Sequence, residues 1–149
     1  MRILLVSTRV QASCVVVKSG FTEQLFLSLN PPFPPVKLLR FDGCEKGDWV
    51  ALELNFLLFR QQWISEITEV SDEAGSWSFV DIGRKLPFFL KTWEHRHSVK
   101  QVGEGAEIVD AIRFTTGSLV SDLLLYPILW VQFLYRKPIY KRWFNKKPA

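Results

Sequence analysis

The chain has 149 residues, of which 48% are hydrophobic and 23% are charged, and its formal net charge is +4. This length and composition predict one folded domain over residues 1–149 and exclude a disordered, collagen-like or repeat protein. Cys14 and Cys44 are the only two cysteines and lack metal-ligand spacing, so neither a disulfide framework nor a zinc site is indicated, and we expect a reducing, cytoplasmic setting.

The first third of the chain predicts one strand followed by two short helices. Residues 2–11 alternate in part and are rich in β-branched side chains, which favours a strand over a signal peptide. We interpret residues 14–29 as two short helices that break near Ser19 and Gly20. Residues 30–36 contain four prolines, which remove backbone donors and predict a rigid connection.

The middle of the chain alternates short strand-like segments with turn residues such as glycine, aspartate and serine. Strands joined this closely predict an antiparallel meander, because the crossovers of a parallel sheet need a dozen or more residues. No glycine-rich phosphate loop opens a helix, so a nucleotide-binding fold is not expected. The predicted strands are residues 37–41, 48–59, 62–70, 77–82, 90–102 and 106–116.

The last predicted element is a long, aromatic-rich helix over residues 117–146. Residues 123–135 carry no charge, so this part of the helix must be covered by protein in a soluble chain. Pro127 and Pro138 each remove a hydrogen bond and crowd the carbonyl four residues earlier, which predicts a kink or break at one or both.

Together the elements predict an α+β protein. A curved antiparallel sheet of about seven strands wraps around the long C-terminal helix, and two short helices lie between the first and second strands. Imperfect closure between sheet and helix is expected to leave a cavity between their apolar surfaces.

This order and several local runs resemble the SRPBCC superfamily, and most of all its small bacterial ligand-binding members. The runs are FDGCEKGDWVALEL at 41–54, WISEITE at 63–69, LPFFLKTWEHRHSV at 86–99 and DAIRF at 110–114. The resemblance implies the helix-grip fold of START lipid-binding domains, birch-pollen-allergen-like proteins and polyketide cyclases. It also implies an apolar cavity that binds a lipid-like or polycyclic molecule, in some members with catalysis.

Both histidines of the chain lie on one predicted strand. Alternation places Trp93, His95 and His97 on its inward face, and imidazoles are the obvious candidates for acid-base chemistry in a cyclase- or dehydratase-like enzyme. No serine or cysteine nucleophile accompanies them in a local motif, so we favour hydrogen-bonded core histidines and assign no catalytic residue.

A His-x-His pair also binds metals when a third ligand converges, and Glu66 or Asp110 are the candidates for that ligand. Spacing alone does not bring the three together, so we assign neither a metal nor a cofactor. Glu66 is also a weaker acid-base candidate. A solvent-facing Glu66 is favoured, because an inward carboxylate needs a partner such as His95 or Arg60.

The predicted ligand-binding residues are mostly aromatic rings and polar groups that face the cavity. Tyr126, Trp130 and Phe133 follow i, i+4, i+7 spacing and share one helix face. Plain core packing is the alternative for more than half of the rings. The complete set is Trp49, Phe56, Trp63, Glu66, Phe79, Trp93, His95, His97, Phe114, Tyr126, Trp130 and Phe133.

The basic residues concentrate in the C-terminal extension, residues 136–149. No nucleic-acid motif accompanies them, so an apolar small molecule is the expected partner and nucleic acid is not. Peripheral contact with anionic lipid headgroups is a further alternative. A spanning helix is disfavoured, because 13 uncharged residues are fewer than the roughly 20 needed. The oligomeric state is not predicted.

Overall fold

The computed structural model describes residues 2–145, which form a seven-stranded antiparallel sheet and four helices. In chain order the elements are β1 (Arg2–Val10), α1 (Cys14–Ser19), α2 (Glu23–Ser28), β2 (Val36–Phe41), β3 (Trp49–Asn55), β4 (Arg60–Glu73), β5 (Ser76–Lys85), β6 (Thr92–Val102), β7 (Gly105–Thr115), α3 (Leu119–Leu134) and α4 (Arg136–Phe144).

The sheet is a meander in which the first strand returns beside the last. Its order is β1-β7-β6-β5-β4-β3-β2, and every neighbouring pair is antiparallel. The helices α3 and α4 both pack against β1, and α3 also contacts β7. The predicted α+β architecture, with two short helices between the first two strands, is confirmed.

One predicted strand is too long. The segment predicted as residues 48–59 leaves the sheet after Asn55, and the next four residues form the reversal into β4. Phe56 donates its N–H to the carbonyl of Phe59 at 2.9 Å, which closes this turn. Leu57 within it has φ of 75° and is 80% exposed. The apolar run FLLF has the composition of a strand, but the side chains of Leu57, Leu58 and Phe59 are exposed.

The C-terminal helical segment breaks at Tyr135, between α3 and α4. Pro138 crowds the carbonyl four residues earlier, at Leu134, and this is the residue where α3 ends. Pro127 lies inside α3, which continues through it. The predicted break is therefore confirmed in front of one of the two prolines.

The hydrophobic core has two parts, which meet at β6 and β7. The first packs α3 against the sheet through residues such as Leu4, Trp93, Phe114, Leu129 and Phe133. The second packs α1, α2 and α4 against the sheet through residues such as Val17, Leu25, Trp77, Ile108 and Tyr140. The segment after Pro138 is thus part of the core and not only a basic extension, while residues 146–149 lie outside the described residues.

No helix within residues 2–145 is long and apolar enough to cross a membrane.

Candidate functional site

A cavity of about 460 Å³ lies between the sheet and α3. Alternate residues of β3 line one wall, because successive side chains of a strand point to opposite faces. These are Val50, Leu52 and Leu54. Most of the remaining lining is aromatic or aliphatic, which is the composition of an apolar ligand pocket with few polar groups.

The proline-rich connection and α3 each contribute an exposed residue to the lining of the cavity. Phe33 and Ile128 both line the cavity, and they are 55% and 56% exposed. Around Phe33 the rings form a cluster, which we call the aromatic rim. Ring centroids in it are 5.2 to 6.5 Å apart, a normal contact distance for aromatic pairs. Its members are Phe33, Phe56, Phe59, Phe88 and Phe89.

A polar network borders the cavity, centred on the buried Asp110 of β7. His95 is held between two carboxylates, with Nε2 2.7 Å from Asp110 Oδ1 and Nδ1 3.2 Å from Asp81 Oδ2. Burial alone lowers the pKa of His95, but the hydrogen bonds to Asp110 and Asp81 outweigh it and raise this pKa to about 9. His95 is therefore an imidazolium at neutral pH.

His97 behaves in the opposite way, although it lies two residues away. Burial lowers its pKa, and the hydrogen bond to Asp110 does not overcome that effect. Its Nδ1 lies 3.2 Å from Asp110 Oδ1, so the neutral ring donates the Nδ1 hydrogen to the carboxylate. Within residues 2–145, Nε2 has no hydrogen-bond partner. The ring packs between Phe21 and Phe79, with centroid distances of 4.3 and 5.0 Å.

Two residues of α4 complete the network. Arg136 Nη1 lies 3.4 Å from Asp110 Oδ1, and the guanidinium carbon is 4.4 Å from the centre of the Phe133 ring. The hydroxyl of Tyr140 donates to Asp110 Oδ2 at 3.3 Å. Burial alone raises the pKa of Asp110, but Arg136 and the histidine hydrogen bonds hold it well below its usual range. Asp110 is therefore ionised.

Of the two residues predicted as a possible third metal ligand, Asp110 lies beside the histidines and Glu66 does not. The potential ligand atoms of His95, His97 and Asp110 lie within 4.8 Å of one another. Glu66 instead accepts a hydrogen bond from Arg84 Nε at 3.0 Å. The positive charge of Arg136 on the same Asp110 oxygen opposes a second cation there, so the group is arranged as a hydrogen-bonded ion network.

Seven of the twelve predicted ligand-binding residues line the cavity: Phe56, Trp63, Phe79, Trp93, His95, His97 and Phe133. Trp49 and Glu66 do not, because they are paired across β3 and β4 on the face opposite Val50. Phe114 is fully buried in the core under α3.

Of the three residues predicted to face a ligand from α3, Phe133 lines the cavity, and Tyr126 and Trp130 do not. Tyr126 packs against the core cluster, and Trp130 is 45% exposed. The cavity is lined instead by a stripe with i, i+3, i+4 and i+7 spacing, which continues to Arg136: Leu125, Ile128, Leu129 and Gln132. Several stripes of this helix are apolar, so hydropathy alone does not select one.

Sequence reasoning named Asp110 only as a candidate metal ligand, and it missed Asp81, Arg136 and Tyr140. The alternation of β7 places Asp110 on the same inward face as Ile108 and Ile112, so an inward carboxylate was detectable. In the sequence, Arg136 and Tyr140 belong to the basic C-terminal extension. No local pattern connects them with Asp110, which lies 26 and 30 residues earlier.

Sequence comparisons do not identify the protein: no family model and no curated protein matches the chain. Solved structures do match it. A START superfamily protein from Mycobacterium smegmatis aligns with a TM-score of 0.70 and 12% identity, covering 95% of this chain and 96% of that one. The Zhui aromatase/cyclase from a Streptomyces species aligns with a TM-score of 0.67 and 14% identity, covering 93% and 90%.

A third match is Ara h 8.0201, with a TM-score of 0.59, 11% identity and coverage of 92% and 95%. The chain has the helix-grip fold. The resemblance in the strand runs is thus confirmed at the level of the fold. At these identities, the helix-grip likeness carries no activity or ligand from one protein to another.

Proposed function

We propose that the protein binds an apolar or amphipathic small molecule, lipid-like or polycyclic, in the cavity between sheet and α3. The observation that carries this proposal is a cavity of about 460 Å³ with a mostly apolar lining. Burial of apolar ligand surface supplies the affinity, and the network around His95 orients a polar group. The shared fold of a START superfamily protein supports the proposal.

Native mass spectrometry of the purified protein tests for a co-purifying lipid-like compound, and fluorescence titration with pyrene tests the cavity directly. We expect saturable binding with one site. Leu52→Trp fills the cavity and should abolish binding, whereas Leu5→Trp adds the same ring on the exposed side of β1 and should not. A folded wild-type protein that binds no apolar compound contradicts the proposal.

A second candidate function is proton transfer on a carbonyl substrate, as in a cyclase- or dehydratase-like enzyme. It is favoured by the unpartnered Nε2 of His97, whose other ring nitrogen faces Asp110. This neutral imidazole has the form of a general base: Nε2 takes a C–H proton, and the electron pair moves to the carbonyl oxygen. His95 is already protonated and can act only as an acid. His97 lines the cavity but is fully buried, and the ring of Phe21 packs against it.

Deuterium exchange of the α-protons of acetonaphthone in D₂O, followed by NMR, measures this proton transfer. We expect His97→Phe to abolish the protein-dependent exchange while pyrene still binds, and Phe21→Ala to accelerate it. Exchange that is equally fast in His97→Phe and in the wild type rules out His97 as the base.

A third candidate function is contact with an anionic membrane surface through the aromatic rim. Leu57 and Leu58 beside the rim are highly exposed, and so is an apolar face of α3. The three loops of the rim and the strand ends next to them, residues 30–36, 56–60 and 83–91, contain four cations and no acidic residue, which suits anionic headgroups. Two of these cations, Arg60 and Arg84, pair with Glu53 and Glu66 on neighbouring strands. The exposed apolar residues of α3 include Leu119, Val120, Leu123, Leu124 and Val131.

Point substitutions are needed to test membrane contact, because deletion of residues 136–149 would remove the buried Tyr140. We expect co-sedimentation with vesicles that contain phosphatidylglycerol and not with pure phosphatidylcholine. Serine at both Leu57 and Leu58 should weaken it, whereas serine at the exposed Val15 and Val16 of α1 should not. Equal sedimentation of both double variants contradicts contact through the rim.

A further inference from the structure

The charges inside the cavity cancel. Asp81 and Asp110 contribute two negative charges, and His95 and Arg136 contribute two positive charges. The four side chains form a continuous chain of contacts, in which His95 joins the two carboxylates and Asp110 joins His95 to Arg136. His97 is neutral and adds no charge.

Three members of this chain line the cavity, and the two with the most exposed side chains, Asp81 and Arg136, offer opposite hydrogen-bonding chemistry. The side chains of Asp81 and Arg136 both line the cavity and each keeps 17% of its surface exposed, whereas Asp110 keeps 1%. A guanidinium carries five N–H donors and a carboxylate accepts several hydrogen bonds. Arg136 contacts Asp110 and Tyr140, and Asp81 contacts His95, so Arg136 keeps further donors and Asp81 keeps further lone pairs for a ligand.

We propose that this balanced pair selects a ligand whose polar group is uncharged and both donates and accepts hydrogen bonds, such as an alcohol or a phenol. The inference rests on the proposed binding function and specifies the class of ligand. A hydroxyl accepts from Arg136 and donates to Asp81, so it satisfies both groups.

A ligand with an ionised group should bind more weakly at the same place. A carboxylate gains the attraction of Arg136, but Asp81 and Asp110 repel it, and it loses its hydration on entering the cavity. An ammonium group is attracted by the carboxylate of Asp81 but is repelled by Arg136 and His95. Because the network has no net charge, neither ion recovers the cost of leaving water.

Three fluorescent probes with the same ring system test this selectivity: pyrenemethanol, pyrenecarboxylate and pyrenemethylammonium, with pyrene as the apolar reference. Measurements at about pH 6 keep His95 protonated. We expect the wild type to bind the alcohol about tenfold or more tightly than either ion. This comparison needs no substitution and decides the inference by itself.

A charge change at the site gives a second, directional test. Asp81→Asn keeps the shape of the side chain and leaves the network with one excess positive charge, so the preference should move about tenfold toward the carboxylate. Asp72→Asn is the matched control, because Asp72 is exposed and pairs with Lys18 away from the cavity. It should leave all four affinities unchanged.

The outcomes separate the inference from the function on which it rests. Equal affinity for the alcohol and the ions, or tighter binding of the carboxylate by the wild type, overturns the inference while pyrene binding preserves the proposed function. An unchanged preference in folded Asp81→Asn also overturns it. If pyrene itself does not bind, the proposed function fails and the inference fails with it.

Discussion

Replacement of His95 by glutamine should remove a pH-dependent part of the stability of the protein. In the folded state the pKa of His95 rises from its ordinary 6.5 to about 9, because Asp110 and Asp81 hold the imidazolium more strongly than burial disfavours it. At about 1.4 kcal/mol for each pH unit, this rise corresponds to about 3 kcal/mol of stability.

The sign follows from the direction of the pKa change. A raised pKa means that the folded state binds the proton more tightly than the unfolded state does. The contribution of His95 is therefore complete below about pH 6.5 and is lost as the pH rises through about 9. Over that range, the free energy of unfolding of the wild type should fall by about 3 kcal/mol more than that of His95→Gln.

Urea unfolding of both proteins at a series of pH values measures this difference. Groups that titrate alike in both proteins, including the cysteines, lysines and tyrosines, cancel when one curve is subtracted from the other. Parallel curves would refute the reasoning. An NMR titration in which the His95 ring of the wild type loses its proton near its ordinary pKa would do the same.

Three smaller effects should be measurable by unfolding or by thiol labelling. Tyr140→Phe should lower the free energy of unfolding by about 1 kcal/mol through loss of its buried hydrogen bond, and Tyr135→Phe, at an exposed site, should not. Leu57→Asn should raise it by about 0.5 kcal/mol, because asparagine tolerates the left-handed backbone there, and Leu58→Asn should give no gain. Burial raises the pKa of Cys44 to about 12, so iodoacetamide should label it slowly, and pyrene in the cavity should slow labelling further. Labelling at the rate of a free cysteine contradicts the last prediction.

The position of Arg136 links the polar network to the break in the C-terminal helix. Arg136 begins α4, directly after the break at Tyr135, and its guanidinium reaches Asp110 on β7. The residues that precede it in α3 line the cavity, and those that follow it in α4 pack into the core. The proline that interrupts the helix thus lies beside the point where the apolar wall of the cavity meets its polar end.

Strand pattern and turn chemistry were enough to predict the sheet. Alternation on β6 correctly placed Trp93, His95 and His97 on the inward face, because a strand has a period of two and one face is buried. Trp49 was proposed for the cavity as an aromatic residue and not from alternation, and its register with Glu66 puts it on the face opposite Val50.

By itself, the amino-acid sequence determined the class of fold, the order of its elements, the inward face of the histidine strand and an interruption of the last helix at one or both of its prolines. These depend on local rules: side-chain period, turn residues and the missing N–H of proline. Only the tertiary structure decided which stripe of α3 faces the cavity and which charges meet at Asp110. Residues from β5, β6, β7 and α4 converge there, and their pKa values depend on burial and on neighbours that are distant in the chain.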